Sequence, residues 1–296
     1  MIAPMTDWTF AMLGLAILAV WLPPLPLGRK PIPLWPFAFA TALIPGFASG
    51  VLRWPALPVL AAFAALVWAA SAAPRGRPFF IVLAGAMAVA LSVHVLPGFA
   101  NPKVFDAERL TPDALPFTQY LNFDKGTAGL FLLAAFAPRV RRWREAGAIV
   151  GPVSLAAVVT TVAVLGLAVG LSLVHVDPHW HPLAPTFLAV NLLFTCVAEE
   201  VFFRGLVQDR LPGPRPLAVT ASALLFGLVH LPAGAAYAAL ATVLGLGCAL
   251  VFERTRRIES AIAVHFAVNA VHFVGFTYPM LASARSSSSS AKIPDR

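Results

Sequence analysis

Runs of about 18 or more apolar residues, enough for a helix to cross a hydrocarbon core of about 30 Å, recur along nearly the whole chain. They reflect a 296-residue sequence that is 59% hydrophobic and 11% charged, with a mean hydropathy of +0.81. Such a chain cannot cover a solvated surface, so a bilayer has to be its solvent. The runs lack the alternation of barrel strands, and a segment without water must satisfy its own backbone, which leaves helices. The expected fold is all-α, a polytopic transmembrane helical bundle of about 8–10 transmembrane helices. Spans are placed at about 8–27, 32–51, 54–73, 79–99, 117–137, 147–174, 185–211, 217–236, 235–253 and 259–280. The fifth is the least apolar, because its hydrophobic part, Gly126 to Pro138, is short and follows a loop of mixed polarity. Without it there would be nine.

The formal charge is +8, yet the 21 Lys and Arg residues are scattered in small clusters between apolar runs. That pattern is one of membrane topology and excludes a nucleic-acid footprint. Arg29 with Lys30, Arg75 with Arg77, the run Arg139, Arg141, Arg142 and Arg144, then Arg210 with Arg215, and Arg254, Arg256 and Arg257 occupy every second loop. Basic residues of short loops stay on the cytoplasmic side, so the N-terminus is expected to face outward. No basic residue precedes Trp8, so the first span reads as a retained helix rather than a signal peptide. Residues 1–145 are read as N-terminal helices of unassigned role, 146–282 as a candidate catalytic membrane domain, and 283–296 as a disordered Ser-rich tail. Cys196 and Cys248 both fall inside apolar helices and act as small hydrophobes.

Ionisable residues inside spans concentrate after about residue 185, and there the chemistry is sought. Cys196-Val-Ala-Glu199-Glu200-Val-Phe-Phe-Arg204 sets two carboxylates and a guanidinium into an apolar helix. Lipid cannot hold them, so they face protein or trapped water. Glu200 and Arg204 share a helix face and can pair, while Glu199 points about 100° away and stays available to act on water. The following helix carries Phe226-Gly-Leu-Val-His230 and the last carries His265-Phe-Ala-Val-Asn269, each pair stacked four residues apart. Counted from the cytoplasmic helix ends, Glu199 lies roughly 18 Å deep, His230 roughly 20 Å, Asn269 roughly 15 Å and His265 roughly 9 Å, depths that overlap once helices tilt. Together they supply a carboxylate to deprotonate water, imidazoles to move protons and N–H groups to stabilise an oxyanion. Taken singly, a Glu–Arg pair is more often a structural staple and a membrane histidine a helix-to-helix hydrogen bond.

The order Glu-Glu-x-x-x-Arg, Phe-x-x-x-His, His-x-x-x-Asn resembles the CAAX-protease and bacteriocin-processing family, which includes the type II CAAX prenyl endopeptidases. All three motifs match without substitution, as Glu199, Glu200 and Arg204, as Phe226 and His230, and as His265 and Asn269, across about residues 185–280. The resemblance implies that Glu199 with His230 activates the attacking water, that His265 with Asn269 forms the oxyanion hole, and that Glu200 and Arg204 support the helix. It implies an intramembrane endopeptidase whose partners are the lipid bilayer and a membrane-embedded or lipid-anchored peptide. No cofactor is expected; the alternative is zinc held by Glu199, His230 and His265. The separation of these residues over three helices, and the suitability of Asn269 for an oxyanion, favour the metal-free glutamate mechanism. The rival classes are an ion-coupled transporter, for which no inverted repeat is seen, and a non-catalytic scaffold, which would not need His230 and Asn269.

Other polar features read as secondary. His175, His179 and His181 sit in an outer loop as solvated histidines, His94 is interfacial, and His272 follows His265 on one face where it can line a cavity mouth. Asn101 to Lys125 is read as a connector, and the arginines of 139–144 as topology signals that could also meet anionic lipid. High Ala, Arg and Pro usage fits a GC-rich bacterium, hence a multi-pass protein of the bacterial inner membrane.

Overall fold

A computed structural model describes residues 4–26, 31–72 and 76–284. The outer parts of the Ser-rich tail, and the basic residues Arg29, Lys30 and Arg75, lie outside the described residues. The chain is an integral membrane bundle of helices α1 Pro4–Ala19, α2 Trp35–Ala48, α3 Ala56–Ala72, α4 Arg77–Ser92, α5 Phe123–Phe136, α6 Trp143–Gly170, α7 Ala184–Gln208, α8 Arg215–Val229, α9 Ala235–Thr255 and α10 Ile258–Gly275. All ten expected spans therefore contain a helix. Four of them, α6, α7, α9 and α10, are long and apolar enough to cross a membrane unaided, whereas α1 to α4 and α8 are shorter apolar helices.

Several expected ends need correction, the first span stopping at Ala19 instead of 27 and the eighth at Val229 instead of 236. The fourth span stops well before residue 99, because His94 adopts a left-handed conformation (φ 61°) and Gly98 follows at φ 97°. The fifth begins at Phe123 instead of 117, and the connector before it is an antiparallel hairpin, β1 Lys103–Glu108 and β2 Phe117–Tyr120.

α5, the least apolar span, is the centre of the bundle. It contacts α1, α3, α4 and α7, and most of its residues, Asp124 included, are buried. A helix enclosed by protein needs no lipid-facing side, so hydropathy understates it. Close approach to α7 depends on Gly129, where a Cβ would lie 2.9 Å from the Cα and Cβ of Ala198. α6 has the opposite character, exposing Leu155, Val158 and Val162 to the bilayer while packing on α9 and α10.

Connections gather at two ends. At one, Ile258 N–H donates to the Pro138 carbonyl, Trp21 Nε1 and the Val140 N–H both donate to Glu259, and ion pairs join Arg257 to Glu145, Arg256 to Asp209 and Arg215 to Glu253. At the other, Leu52 bridges Phe99, Ala114 bridges Leu281 and Val176 bridges Phe276. The hairpin belongs to this second end. Alternate loops thus meet each other, as the ten-span reading requires.

Candidate active site

α7 departs from regular α geometry on both sides of the acidic pair. Residues Asn191–Cys196 and Val201–Gln208 are π-helical and flank one α turn, Val197–Glu200. Such wide turns recur at functional sites because they re-aim side chains. Here Glu199 and Glu200 diverge, as their spacing predicts. Glu200 is fully buried and pairs with Arg204 (Oε2 to Nε, 3.1 Å). Its other oxygen accepts from His265 Nδ1 at 2.8 Å. Arg204, also fully buried, donates through Nη2 to the Gly245 carbonyl at 2.6 Å, tying α7 to α9.

Glu199 faces a different partner, one the motifs do not contain. Lys125 of α5 donates from Nζ to Glu199 Oε1 at 2.7 Å, both side chains being 17% exposed. Glu199 is therefore not left unpaired, contrary to the reading of a free carboxylate. Among the described residues its Oε2 makes no hydrogen bond. Lys125 is placed by a polar cluster at the head of α5: Asp124 Oδ2 lies 2.8 Å from His94 Nδ1, Asn101 Nδ2 donates to Asp124, and Asn101 Oδ1 accepts from the Phe123 N–H. His94 is thus a partner of Asp124 as well as a residue of the end of α4. The site draws on both sides of the 145/146 division.

His230 occupies the C-cap of α8, and its Nδ1 sits 2.7 Å from the Phe226 carbonyl. A carbonyl only accepts, so Nδ1 carries the proton and Nε2 is left as a base. The same logic gives His265 a proton on Nδ1, donated to Glu200. Phe226 is the hub of the cluster. Its ring centre lies 4.8 Å from His230, 5.5 Å from His265 and 5.0 Å from the Arg204 guanidinium, so one aromatic side chain fixes three polar ones. Asn269 Nδ2 donates to Asn191 Oδ1 at 3.2 Å and more weakly to Cys196 Sγ at 3.9 Å. Asn191 is a positioning residue that sequence reasoning passed over, although a polar side chain in an apolar span was its signal.

A cavity of about 330 Å³ brings Glu199, Phe226, His230, His265 and Asn269 together, with His272 and Tyr237 also on its wall. All four expected catalytic residues line it. Residues 117–120 of the hairpin form part of the same wall, so the segment read as a connector shapes the cavity. A second space of about 200 Å³, between Val89 and Val93 of α4 and Phe202 and Val229, shares Glu199 and His230 with the first. Among the described residues no group of three or more His, Cys, Asp or Glu side chains is arranged to hold a metal ion. The zinc set Glu199, His230 and His265 is divided, with Glu199 engaged by Lys125 and His265 by Glu200. The loop histidines are also separate: His179 Nδ1 lies against the Asp177 carbonyl, and His181 accepts from the Leu183 N–H and approaches Glu108.

The cavity gathers a carboxylate, two imidazoles and a side-chain amide, groups of the kind that amide hydrolysis uses. Residues 180–271 match the family described as Rce1-like, type II CAAX prenyl endopeptidase Rce1-like, a segment that contains all three motifs. No curated protein and no solved structure matches the chain.

Proposed function

We propose that the protein is an intramembrane endopeptidase that hydrolyses a peptide bond of a membrane-associated or lipid-anchored protein, using water activated by Glu199. The supporting observation is the cavity on which Glu199 and His230 meet His265 and Asn269, within the segment that matches a family of endopeptidases.

Glu199 Oε2 takes the proton of a water held between it and His230 Nε2, and the hydroxide attacks the amide carbon. The carbonyl oxygen becomes an oxyanion, which accepts from His265 Nε2–H and from the Asn269 amide hydrogen that otherwise meets Cys196 Sγ only weakly. Glu200 balances the imidazolium of His265 from the opposite ring nitrogen. The proton held by Glu199 then passes to the leaving amine as the C–N bond breaks. Lys125 holds Oε1, so only one oxygen of the base is free to turn toward water.

The test is cleavage of a membrane-protein peptide library, with prenylated CAAX-ended peptides included, by the purified protein in detergent. Chelator-resistant cleavage that disappears in Glu199→Ala is expected. Cleavage lost to chelator and restored by zinc would transfer Glu199, His230 and His265 to ligand roles, and equal cleavage by Glu199→Ala would reject the reading.

A further inference from the structure

The two ends of the bundle differ sharply in charge. Among the described residues, ten arginines occupy one of them, in the stretches 139–144, 210–215 and 254–257 together with Arg77, whereas the hairpin end carries Arg53, Lys103 and Arg109. Acidic residues Asp106, Glu108, Asp113 and Asp177 lie at the hairpin end. Short loops rich in arginine remain on the cytoplasmic side of a membrane, so the hairpin end is the non-cytoplasmic one.

The catalytic cavity is built asymmetrically with respect to these ends. Each loop residue on its wall, among them Thr118, Gln119, Val174 and Tyr278, comes from the hairpin end. Toward the arginine end the way is closed by Glu200, Arg204 and Gln208, all fully buried, with Gln208 Nε2 donating to the Ala249 carbonyl at 3.0 Å. Strand β2 runs along the cavity wall, and in a two-stranded sheet it keeps one edge without a neighbouring strand among the described residues. Such an edge suits an extended peptide backbone.

From this arrangement we infer that the active-site cavity opens to the non-cytoplasmic face, and that its substrates are extended peptide segments displayed on that side of the membrane. The inference rests on the peptidase reading for the word substrate, but the sidedness stands on charge and cavity geometry alone. A protein whose scissile bond stays in the cytoplasm would meet the sealed, arginine-rich end.

Cysteine accessibility decides it. Cys196 and Cys248 are both fully buried, so the unsubstituted protein gives a low background. Asp106→Cys on the exposed hairpin and Arg142→Cys at the other end are produced in the full chain in a bacterial host and treated, in intact spheroplasts, with a membrane-impermeant maleimide. Asp106→Cys should label about tenfold more strongly than Arg142→Cys, and lysis should equalise them. Labelling of Arg142→Cys alone in intact cells overturns the inference. So does cleavage of library peptides only when they are supplied to inside-out vesicles and not to intact spheroplasts. Equal cleavage by Glu199→Ala would remove the peptidase reading while the labelling still reported which face the cavity meets.

Discussion

Lys125 of α5 donates to Glu199 of α7 across 2.7 Å, a contact between residues 74 positions apart that joins the centre of the bundle to the carboxylate proposed to activate water. Neither side chain would be tolerated alone at this depth, and each supplies what the other lacks.

Replacing Lys125 by Met keeps the length of the side chain and removes its charge. A hydrogen bond to a charged group contributes about 1.5–3 kcal/mol, which corresponds to a fall in kcat of roughly 10- to 100-fold if Lys125 positions Glu199 for the transition state. Lys125→Arg should recover part of it. Comparing kcat and KM for the three proteins on one library peptide checks this, and a change confined to KM would assign Lys125 to substrate binding.

Glu200 and Arg204 are fully buried, so breaking their pair leaves an uncompensated charge. Glu200→Leu and Arg204→Leu should each destabilise the protein by about 3–5 kcal/mol, while the double substitution should cost less than either. Thermal unfolding in detergent measures all three, and additive losses would contradict the pairing.

Phe226→Ala removes the ring that meets His230, His265 and Arg204 and should cost about 3–5 kcal/mol of stability. Phe226→Leu retains most of the volume and should fold better, yet lose cleavage because the imidazoles are no longer held by an aromatic face. Parallel melting and activity curves separate the two effects.

Gly227 is in tight contact with α9, where a Cβ would fall 1.8 Å from Thr242 Oγ1. Gly227→Ala should destabilise by about 1–3 kcal/mol through overpacking, and adding Thr242→Ala should restore only part, since the Ala238 carbonyl stays 2.8 Å from the new atom. Unfolding midpoints of the single and double variants test it.

The motif residues were legible in the sequence for a physical reason: intramembrane charges are costly, so Glu199, Glu200, Arg204 and the two histidines stand out from an apolar background at helical spacing. Periodicity places residues on the face of one helix and carries no information about which helix lies opposite. The His265–Glu200 contact and the Lys125–Glu199 contact are both of that second kind. Lys125 was further hidden because α5, enclosed by other helices, is the least apolar span and invites reading as the end of a loop. The hairpin was missed because β1 and β2 are only six and four residues long, with two register shifts and no tight two-residue turn to announce them.

The contact of Gly129 with Ala198 has a bearing on how this protein could be taken apart. The family match begins at residue 180, yet the α7 surface next to Glu199 is completed by a helix that ends at Phe136. A fragment trimmed to the matching segment would carry Glu199 without its ammonium partner and with an open furrow where α5 had lain. The smallest unit in which this chemistry can be reconstituted therefore includes α5, supplied either in the same polypeptide or as a separately expressed half that reassembles in the bilayer.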